Sequence, residues 1–212
     1  MIGPSSSHTA GAAKLARIAA IIAAAPFSHV TFSLAGSFAK TYRGHGTDKA
    51  LVAGVLGIHE DDERLVDAFE IAKEKGLSYS FEAIELEGMH ENSVRFSFYL
   101  DSGEISTVIG SSTGGAQIII NRIGEYAVDL TAISPALLVM HNDKRGLIST
   151  ITSVLSYADI NIATMKLSRH SKGETAFTVI ETDSPIDNVT VDAIAAIPGV
   201  ISAQAFSPQE ED

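Results

Sequence analysis

The sequence predicts an α+β protein with two units, a front unit at residues 1–134 in which helices pack on a mostly antiparallel sheet, and a smaller unit at 135–212. Three observations predict this class. Apolar residues recur at helical spacing up to residue 75, and they alternate with polar residues between residues 79 and 130. After a boundary at Thr131–Pro135, strand-like and helix-like segments alternate again.

The composition is that of a folded globular protein, because 45% of the 212 residues are hydrophobic and 19% are charged. A net charge of −11 argues against nucleic acid or an anionic membrane as a partner, since both attract basic surfaces. No apolar run reaches the ~20 residues of a membrane span and no signal-peptide pattern opens the chain, so we expect a cytoplasmic protein. Cysteine is absent, which excludes disulfides and thiolate-held metals within this chain.

A helix, a strand and a second helix open the front unit. Leu15, Ile18 and Ile22 recur at helical spacing after Thr9, and Pro26 ends the pattern. The segment VTFSLAG alternates between apolar and polar residues and predicts a strand. The segment KALVAGVLGI is apolar enough to predict a buried helix.

Two further details of these helices are predicted. Thr47 or Asp48 is expected to cap the second helix, because both side chains can accept a hydrogen bond from a free helix N–H. The segment Asp62–Lys75 predicts a third, amphipathic helix. Its inward face is expected to carry Leu65, Val66, Phe69 and Ala72, with Gly76 ending the helix.

The middle of the chain predicts a sheet. Val94, Phe96 and Phe98 alternate with polar residues, and Asp101–Gly103 predicts a hairpin turn into a returning strand at Ile105–Ile109. The segment GSSTGG then interrupts the pattern, and QIIINRI and EYAVDL predict two more strands.

The second unit predicts the order strand, helix, strand, strand, helix, strand. ALLVMHN predicts its first strand, and Ile148, Ile151 and Leu155 share one helix face. INIATMKLSRH and ETAFTVIET predict two strands joined at Ser171–Gly173, followed by a helix at 189–196 and a last strand GVISAQAF. This βαββαβ order is the ferredoxin-like arrangement.

The second unit resembles the ACT domain, a family of small amino-acid-sensing domains, over residues 136–207. The resemblance rests on the strand that ends in His141-Asn142-Asp143, on Gly146-Leu147 at a helix start and on Asn161-Ile162. It implies an effector site and a homodimer formed through this domain. The effector-binding residues that it implies are His141, Asp143, Gly146, Leu147 and Asn161. The alternative is that His141 and Asn161 only cap turns.

The run Ser5-Ser6-Ser7-His8-Thr9 directly precedes the first helix. One hydroxyl group, that of Ser7 or Thr9, is enough for an N-cap, so capping accounts for only part of the run. The other hydroxyl groups and the free N–H groups of the helix would suit a carboxylate or another anion. The residues alone leave a cap and a functional site both open.

Two later motifs carry histidines. Glycines flank His45 in GHGTD, and an imidazole on such a loop suits proton transfer near neutral pH, although a turn histidine beside a capping Asp48 explains the motif equally. His90 in HENSVRF is by itself typical of a surface loop. The segment GSSTGG suits either an anion-binding nest or a tight turn, and it lacks the lysine of a phosphate-binding P-loop.

In this order, GPSSSHTAG, GSFAKTYRGHGTDKA, HENSVRF and GSSTGG resemble the iron–sulfur-dependent L-serine dehydratases. The resemblance covers essentially the whole chain and is closest to the β subunit of the two-chain bacterial form, which ends in an ACT domain. The front unit also resembles the allosteric substrate-binding domain of some phosphoglycerate dehydrogenases. One departure is Glu91, since the family more often has proline at this position.

The resemblance implies an enzyme that converts L-serine to pyruvate and ammonia. It also implies that an open iron of a four-iron four-sulfur cluster would act as Lewis acid on the substrate hydroxyl while a base removes the α-proton. The cluster is expected on cysteines of a separate α chain, which agrees with the absence of cysteine here. This chain is then expected to have the α subunit as its partner and L-serine as its substrate.

The resemblance also implies a role for each motif residue. His45 is expected to transfer a proton, and His8 and His90 are the two further catalytic candidates. The substrate-binding candidates are Ser5, Ser6, Ser7, Thr9 and Asp48, where Asp48 orients His45 or caps the helix rather than reacting. No metal ligand is expected in this chain. The alternative function is a regulatory module that senses an amino acid without chemistry, and a weaker third is a structural subunit whose histidines only pack.

Overall fold

A computed structural model describes residues 8–208, which form two compact units. The first unit ends at Gly124 and the second begins at Glu125. The boundary predicted at residues 134 and 135 lies later in the chain, and the strand between the two positions, Tyr126–Leu130, belongs to the second unit.

The first unit consists of helices and a sheet. Its elements are α1 (Ala10–Ala23), β1 (Phe27–Leu34), α2 (Gly36–Thr41), α3 (Thr47–Val55), a 3₁₀ turn (Glu63–Asp67), α4 (Ala68–Glu74), β2 (Ser78–Ala83), β3 (Ser93–Leu100), β4 (Ile105–Gly114) and β5 (Gln117–Ile123). The strands lie in the order β2-β1-β3-β4-β5. β1 pairs with β2 in parallel, whereas β1–β3, β3–β4 and β4–β5 are antiparallel, which confirms the predicted mostly antiparallel sheet.

The core of the first unit lies between α1, α3 and the sheet. Leu15 and Ile18 of α1 and Phe96 of β3 are fully buried, as their spacing predicted. The two helices approach closely at Gly54, where a Cβ atom would lie 2.2 Å from the carbonyl oxygen of Ala13. This close contact fixes α1 against α3 and thereby places the residues just before each helix.

The predicted helix at Asp62–Lys75 is wrong in its first half. A 3₁₀ turn covers Glu63–Asp67, and the α-helix begins only at Ala68. The Asp62 carboxylate accepts hydrogen bonds from the backbone N–H and the guanidinium of Arg64, and this local bonding favours the tighter turn. Val66, predicted to face inward, is 55% exposed.

The helix caps also differ from those predicted. Gly46 occupies the N-cap of α3, and the carboxylate of Asp48 accepts from the adjacent N–H of Lys49. Thr9 occupies the N-cap of α1, but its hydroxyl donates to the carbonyl of His45 instead of accepting from the helix. Asp48 and Thr9 therefore do not cap their helices, because each side chain has a nearer or tertiary partner. Thr47 is the first residue of α3, and its buried hydroxyl has no hydrogen-bond partner within the described part of the chain. Ser7 lies outside the described residues.

The prediction for GSSTGG is wrong in its position. β4 runs through Gly114, so Ser111 and Ser112 lie within a strand, and the turn begins only at Gly115. Ser111 pairs with Ile119 and Ser112 with Ile118 in β5, and the two serines are 1% and 0% exposed.

From β7 onward, the second unit has the predicted ferredoxin-like order. Its elements are β6 (Tyr126–Leu130), β7 (Ala136–Asn142), α5 (Leu147–Tyr157), β8 (Ile162–Arg169), β9 (Thr175–Thr182), α6 (Asn188–Ala195) and β10 (Val200–Phe206). The strands lie in the order β10-β7-β9-β8, with each neighbouring pair antiparallel. Leu137, Ile151 and Ile180 are fully buried between this sheet and its helices. Within residues 8–208, no helix is long and apolar enough to span a membrane.

Candidate active site

His8 and His45 meet in the first unit, although they belong to different motifs. Their ring centroids lie 5.0 Å apart, and the ring planes form an angle of 83°. His8 also packs edge to face on Phe38 of α2, with the centroids 5.2 Å apart. Three motif segments, the end of SSSHT, the start of α2 and GHGTD, therefore surround one imidazole.

The loop that carries His45 is held to the start of α1. The hydroxyl of Thr9 donates to the carbonyl oxygen of His45 at 3.2 Å, and the backbone N–H of His45 donates to the carbonyl of Thr41. The side chain of His45 is exposed, and within residues 8–208 its ring makes no hydrogen bond. The backbone is thus fixed while the imidazole side chain stays exposed.

Ser37 connects His8 to the loop that precedes β3. Its hydroxyl lies 3.2 Å from Nε2 of His8, and its backbone N–H donates to the carbonyl of Glu91 at 2.7 Å. The preceding residue, Gly36, has φ +54°, and a Cβ atom there would lie 2.5 Å from the same carbonyl. Only glycine permits this approach, so the contact between α2 and the Glu91 loop depends on Gly36.

His90 and Asn92 shape that loop. The backbone N–H of Asn92 donates to Nδ1 of His90 at 3.1 Å, so Nε2 carries the proton when this ring is neutral. The side-chain oxygen of Asn92 is buried and has no hydrogen-bond partner within the described part of the chain. A buried acceptor without a partner is costly, and it marks a position where a ligand or partner donor would be stabilising.

The surroundings of His8 favour its neutral form. Burial lowers the pKa of His8, and the neighbouring His45 lowers this pKa further, while the carboxylate of Glu91 opposes both effects. A neutral imidazole at pH 7 can accept a proton or a hydrogen bond.

The structure brings together some of the predicted site residues. His8, Thr9 and His45 are in mutual contact, and His90 belongs to the loop that binds the start of α2. Asp48 bonds to the backbone of Lys49. Ser5, Ser6 and Ser7 lie outside the described residues.

Sequence reasoning did not assign roles to Ser37 and Glu91. Ser37 lies inside the quoted motif GSFAKTYRGHGTDKA, and the glycine before it was the available signal for a close backbone contact. Glu91 acts through its carbonyl group, which no residue-type pattern reveals.

The residues of this chain are not suited to hold an iron–sulfur cluster, which the resemblance assigns to a separate α chain. It contains no cysteine, and among residues 8–208 no three His, Asp or Glu side chains are grouped to hold a metal ion. Iron–sulfur clusters are held by cysteine thiolates, so the residues of this chain do not fit as the cluster ligands.

In the second unit, the polar side chains among the implied effector residues form hydrogen bonds to other residues of the same unit. His141 is 1% exposed, and its ring nitrogens lie 2.9 Å from Thr178 Oγ1 and from the carbonyl of Asn142. Leu147 belongs to the hydrophobic core, while Gly146 is the N-cap of α5 with φ +87°.

The polar members of this set have internal partners as well. The carboxylate of Asp143 accepts from the backbone N–H of Gly173 and from Arg169, and these bonds lower the pKa of Asp143. The amide of Asn161 donates to Asp183 at 2.6 Å. The side chains of Asp143 and Asn161 therefore each already have an internal hydrogen-bond partner within the second unit.

Two family profiles match this chain. The profile described as serine dehydratase beta chain matches residues 1–76, and that of the ACT domain matches residues 136–199. The ACT match agrees with the βαββαβ order of the second unit.

Curated relatives match nearly the whole chain. The L-serine dehydratase beta chain of Peptoniphilus asaccharolyticus is 39% identical over 198 residues, which cover 93% of this chain and 89% of the relative. A probable L-serine dehydratase beta chain of Bacillus subtilis (strain 168) is 38% identical over 95% of this chain and 91% of its own length. The D-3-phosphoglycerate dehydrogenase of Bacillus subtilis is 27% identical over 84% of this chain and 34% of the relative.

Proposed function

Because this chain belongs to the serine dehydratase β-chain family, we propose that it is the β subunit of a two-chain L-serine dehydratase that forms pyruvate and ammonia. The observation that carries this proposal is the contact between His8 and His45, which brings two motifs to one place.

The chemistry that we propose for this chain is proton transfer and substrate binding. Serine loses its α-proton and its hydroxyl group as water, and the resulting enamine becomes an imine that water hydrolyses to pyruvate and ammonia. We assign removal of the α-proton to His45, whose side chain is exposed, and the binding of substrate polar groups to His8, whose pKa is lowered. The Thr9 hydroxyl positions His45 by donating a hydrogen bond to the His45 carbonyl oxygen. His90 is the third histidine proposed near the substrate.

The partner and the cofactor follow from the family and from the missing thiolates. We propose that Ser5, Ser6 and Ser7 bind the substrate carboxylate at an interface with an α chain. The iron–sulfur cluster is proposed to be held by cysteines of that α chain, since this chain has none.

Co-expression with an α chain tests the proposal. The complex is reconstituted anaerobically with iron and sulfide, and pyruvate formation from L-serine is followed. We expect turnover that requires both chains. A complex with a competent α chain and a full complement of iron that forms no pyruvate would contradict the proposal.

The second candidate function is amino-acid sensing without chemistry, and the ACT profile match at residues 136–199 favours it. It predicts that L-serine binds the isolated chain. Isothermal titration of the isolated chain with L-serine, and with D-serine as the control, tests this function. Absence of heat with L-serine would count against it, and serine binding without turnover in the two-chain complex would favour it over the first proposal.

A further inference from the structure

A row of polar contacts, buried at its centre and partly buried at both ends, crosses three strands of the first unit and ends at the Glu91 loop. Ser93 of β3 and Ser111 of β4 lie directly opposite each other, are 0% and 1% exposed, and have their hydroxyl oxygens 2.8 Å apart. On one side, Ser111 lies 2.8 Å from Oδ1 of Asn121 in β5. On the other side, Ser93 lies 2.5 Å from the carbonyl oxygen of His90.

A β-bulge directs Asn121 into this row. Ile109 pairs with Arg122 and Gly110 pairs with Ile120, so Asn121 is the extra residue on β5. Bulges commonly redirect one side chain out of the regular alternation. Here the bulge places the side-chain amide of Asn121 against the hydroxyl of Ser111.

The number of hydrogens in the row determines its direction. Three contacts join His90, Ser93, Ser111 and Asn121, and each needs one hydrogen. The His90 carbonyl and an amide oxygen can only accept, while each serine hydroxyl supplies one hydrogen, so two hydrogens serve three contacts when Oδ1 of Asn121 faces Ser111. Adjacent buried oxygens without a hydrogen between them would repel each other.

Rotation of the Asn121 amide by 180° supplies the missing hydrogen. The rotation exchanges Oδ1 for Nδ2, which then donates to Ser111, and the two orientations have nearly the same shape. Within residues 8–208 the amide of Asn121 has no hydrogen-bond partner other than Ser111, so the rotation breaks no other bond. Every contact in the row then has one donor and one acceptor.

We propose that Asn121, Ser111 and Ser93 form a directed hydrogen-bond chain that positions the His90–Asn92 loop against the start of α2. Asn121 donates to Ser111, Ser111 donates to Ser93, and Ser93 donates to the His90 carbonyl. The three side chains are positioning residues, since none of them contacts the His8–His45 pair directly. Their consequence for catalysis rests on the proposed function, whereas the chain itself does not.

The loop transmits this constraint to the candidate site through Glu91 and Ser37. The Glu91 carbonyl accepts from the N–H of Ser37 at 2.7 Å, and the Ser37 hydroxyl lies 3.2 Å from His8 Nε2. Gly36 leaves no space for the loop to shift toward α2, because even a Cβ atom would lie 2.5 Å from Glu91. Hydrogen bonds in a chain strengthen one another where water is largely excluded, so loss of one donor is expected to loosen the loop.

Two variants of the isolated chain test the proposal by amide hydrogen exchange. Asn121→Asp keeps the shape of the side chain but, as a carboxylate at pH 8, only accepts hydrogen bonds, and Ser111→Ala removes the middle of the chain. We expect exchange in peptides spanning 35–40 and 88–95 to accelerate by about tenfold in both variants. Gln117→Glu is the matched control, because it adds a carboxylate to the same strand at an exposed position outside the row, and it is expected to leave these peptides unchanged.

Unchanged exchange at 35–40 and 88–95 in both variants would overturn the proposal. Equal acceleration in all peptides of the first unit, including 12–22 of α1, would also overturn it, since that result reports general instability.

Turnover with an α chain then tests the catalytic consequence. We expect the kcat of Asn121→Asp to fall by about tenfold with unchanged iron content and an unchanged KM, as for a residue that acts through another. An inactive wild-type complex would contradict the proposed function and would leave the exchange result in force. Accelerated exchange with full turnover would overturn the positioning role in catalysis.

Discussion

The imidazole rings of His8 and His45 lie edge to face, with their centroids 5.0 Å apart. His8 lies just before α1 and His45 lies just before α3, and these helices pack closely enough for Gly54 to touch the backbone of Ala13. The packing of two apolar helices thus brings together two polar motifs.

Replacement of His45 by alanine is expected to lower kcat about 10²- to 10⁴-fold, because the group proposed to remove the α-proton is lost. Assembly with an α chain is expected to persist, since the His45 side chain is exposed and only its backbone is bonded to Thr9. Steady-state turnover and size-exclusion chromatography measure the two effects. The control is His170→Ala, an exposed histidine of the second unit, and equal turnover of both variants would remove His45 from the mechanism.

His8 is expected to titrate below the ordinary histidine pKa of 6.5, because burial and the nearby His45 both lower its pKa. His45→Gln is expected to raise the pKa of His8 and Glu91→Gln to lower it further. Two-dimensional NMR of the imidazole C–H groups measures these values. A wild-type His8 that titrates at or above 6.5 would be incompatible with this environment.

The lowered pKa of His8 also fixes the sign of its effect on stability. The unfolded chain binds a proton at His8 more readily than the folded chain, so this stabilising contribution is complete above pH 6.5 and declines as the pH falls through that value. Urea denaturation of the wild type and of His8→Gln measures this contribution to the free energy of unfolding, at pH values between 5 and 8 in steps of roughly half a pH unit. We expect the difference in free energy of unfolding between the wild type and His8→Gln to shrink as the pH falls. A difference that shrinks as the pH rises would contradict the prediction.

Gly36→Ala is expected to destabilise the chain more than Gly57→Ala. Both glycines have a positive φ, which costs a non-glycine residue about 1–2 kcal/mol. Gly57 has open space around it, whereas a Cβ atom at Gly36 meets the Glu91 carbonyl at 2.5 Å and adds about 1–3 kcal/mol of steric strain. Urea denaturation compares the free energies of unfolding of the two variants. Equal losses would show that the Glu91 loop moves to accommodate the new Cβ atom without a measurable cost.

Gly54→Ala is expected to destabilise the first unit, although glycine to alanine in a helix interior normally stabilises by about 1 kcal/mol. The reason is that the new Cβ atom would lie 2.2 Å from the Ala13 carbonyl oxygen and would push α1 away from α3. We expect a net loss of about 1–3 kcal/mol in the free energy of unfolding. A more stable variant by thermal or urea denaturation would contradict this account of the helix contact.

The second unit was predicted closely because each of its strands and helices has a distinct apolar period. The segment ALLVMHN is β7 with the same bounds, and the βαββαβ order follows from the alternation of periods along the chain. The segment Asp62–Lys75 was mispredicted because the local bonds between Asp62 and Arg64 compete with the helical pattern.

The site was predictable only in part. Residue type and motif order pointed to His8, Thr9 and His45, and these residues do meet. The contribution of Glu91 lies in its carbonyl oxygen, and that of Asn121 depends on a bulge in β5, so neither has a signature in residue type or spacing.

The sequence by itself determined the α+β class, the βαββαβ unit, the absence of thiolate ligands and the motifs that carry the histidines, because apolar periodicity and residue chemistry are local properties. Only the tertiary structure decided that the hydroxyl of Thr9 serves the His45 loop and not its own helix, and that Ser37 links His8 to Glu91. The physical reason is that these bonds join atoms from segments far apart in the chain, which the packing of α1 on α3 and of α2 on β3 brings within hydrogen-bond distance.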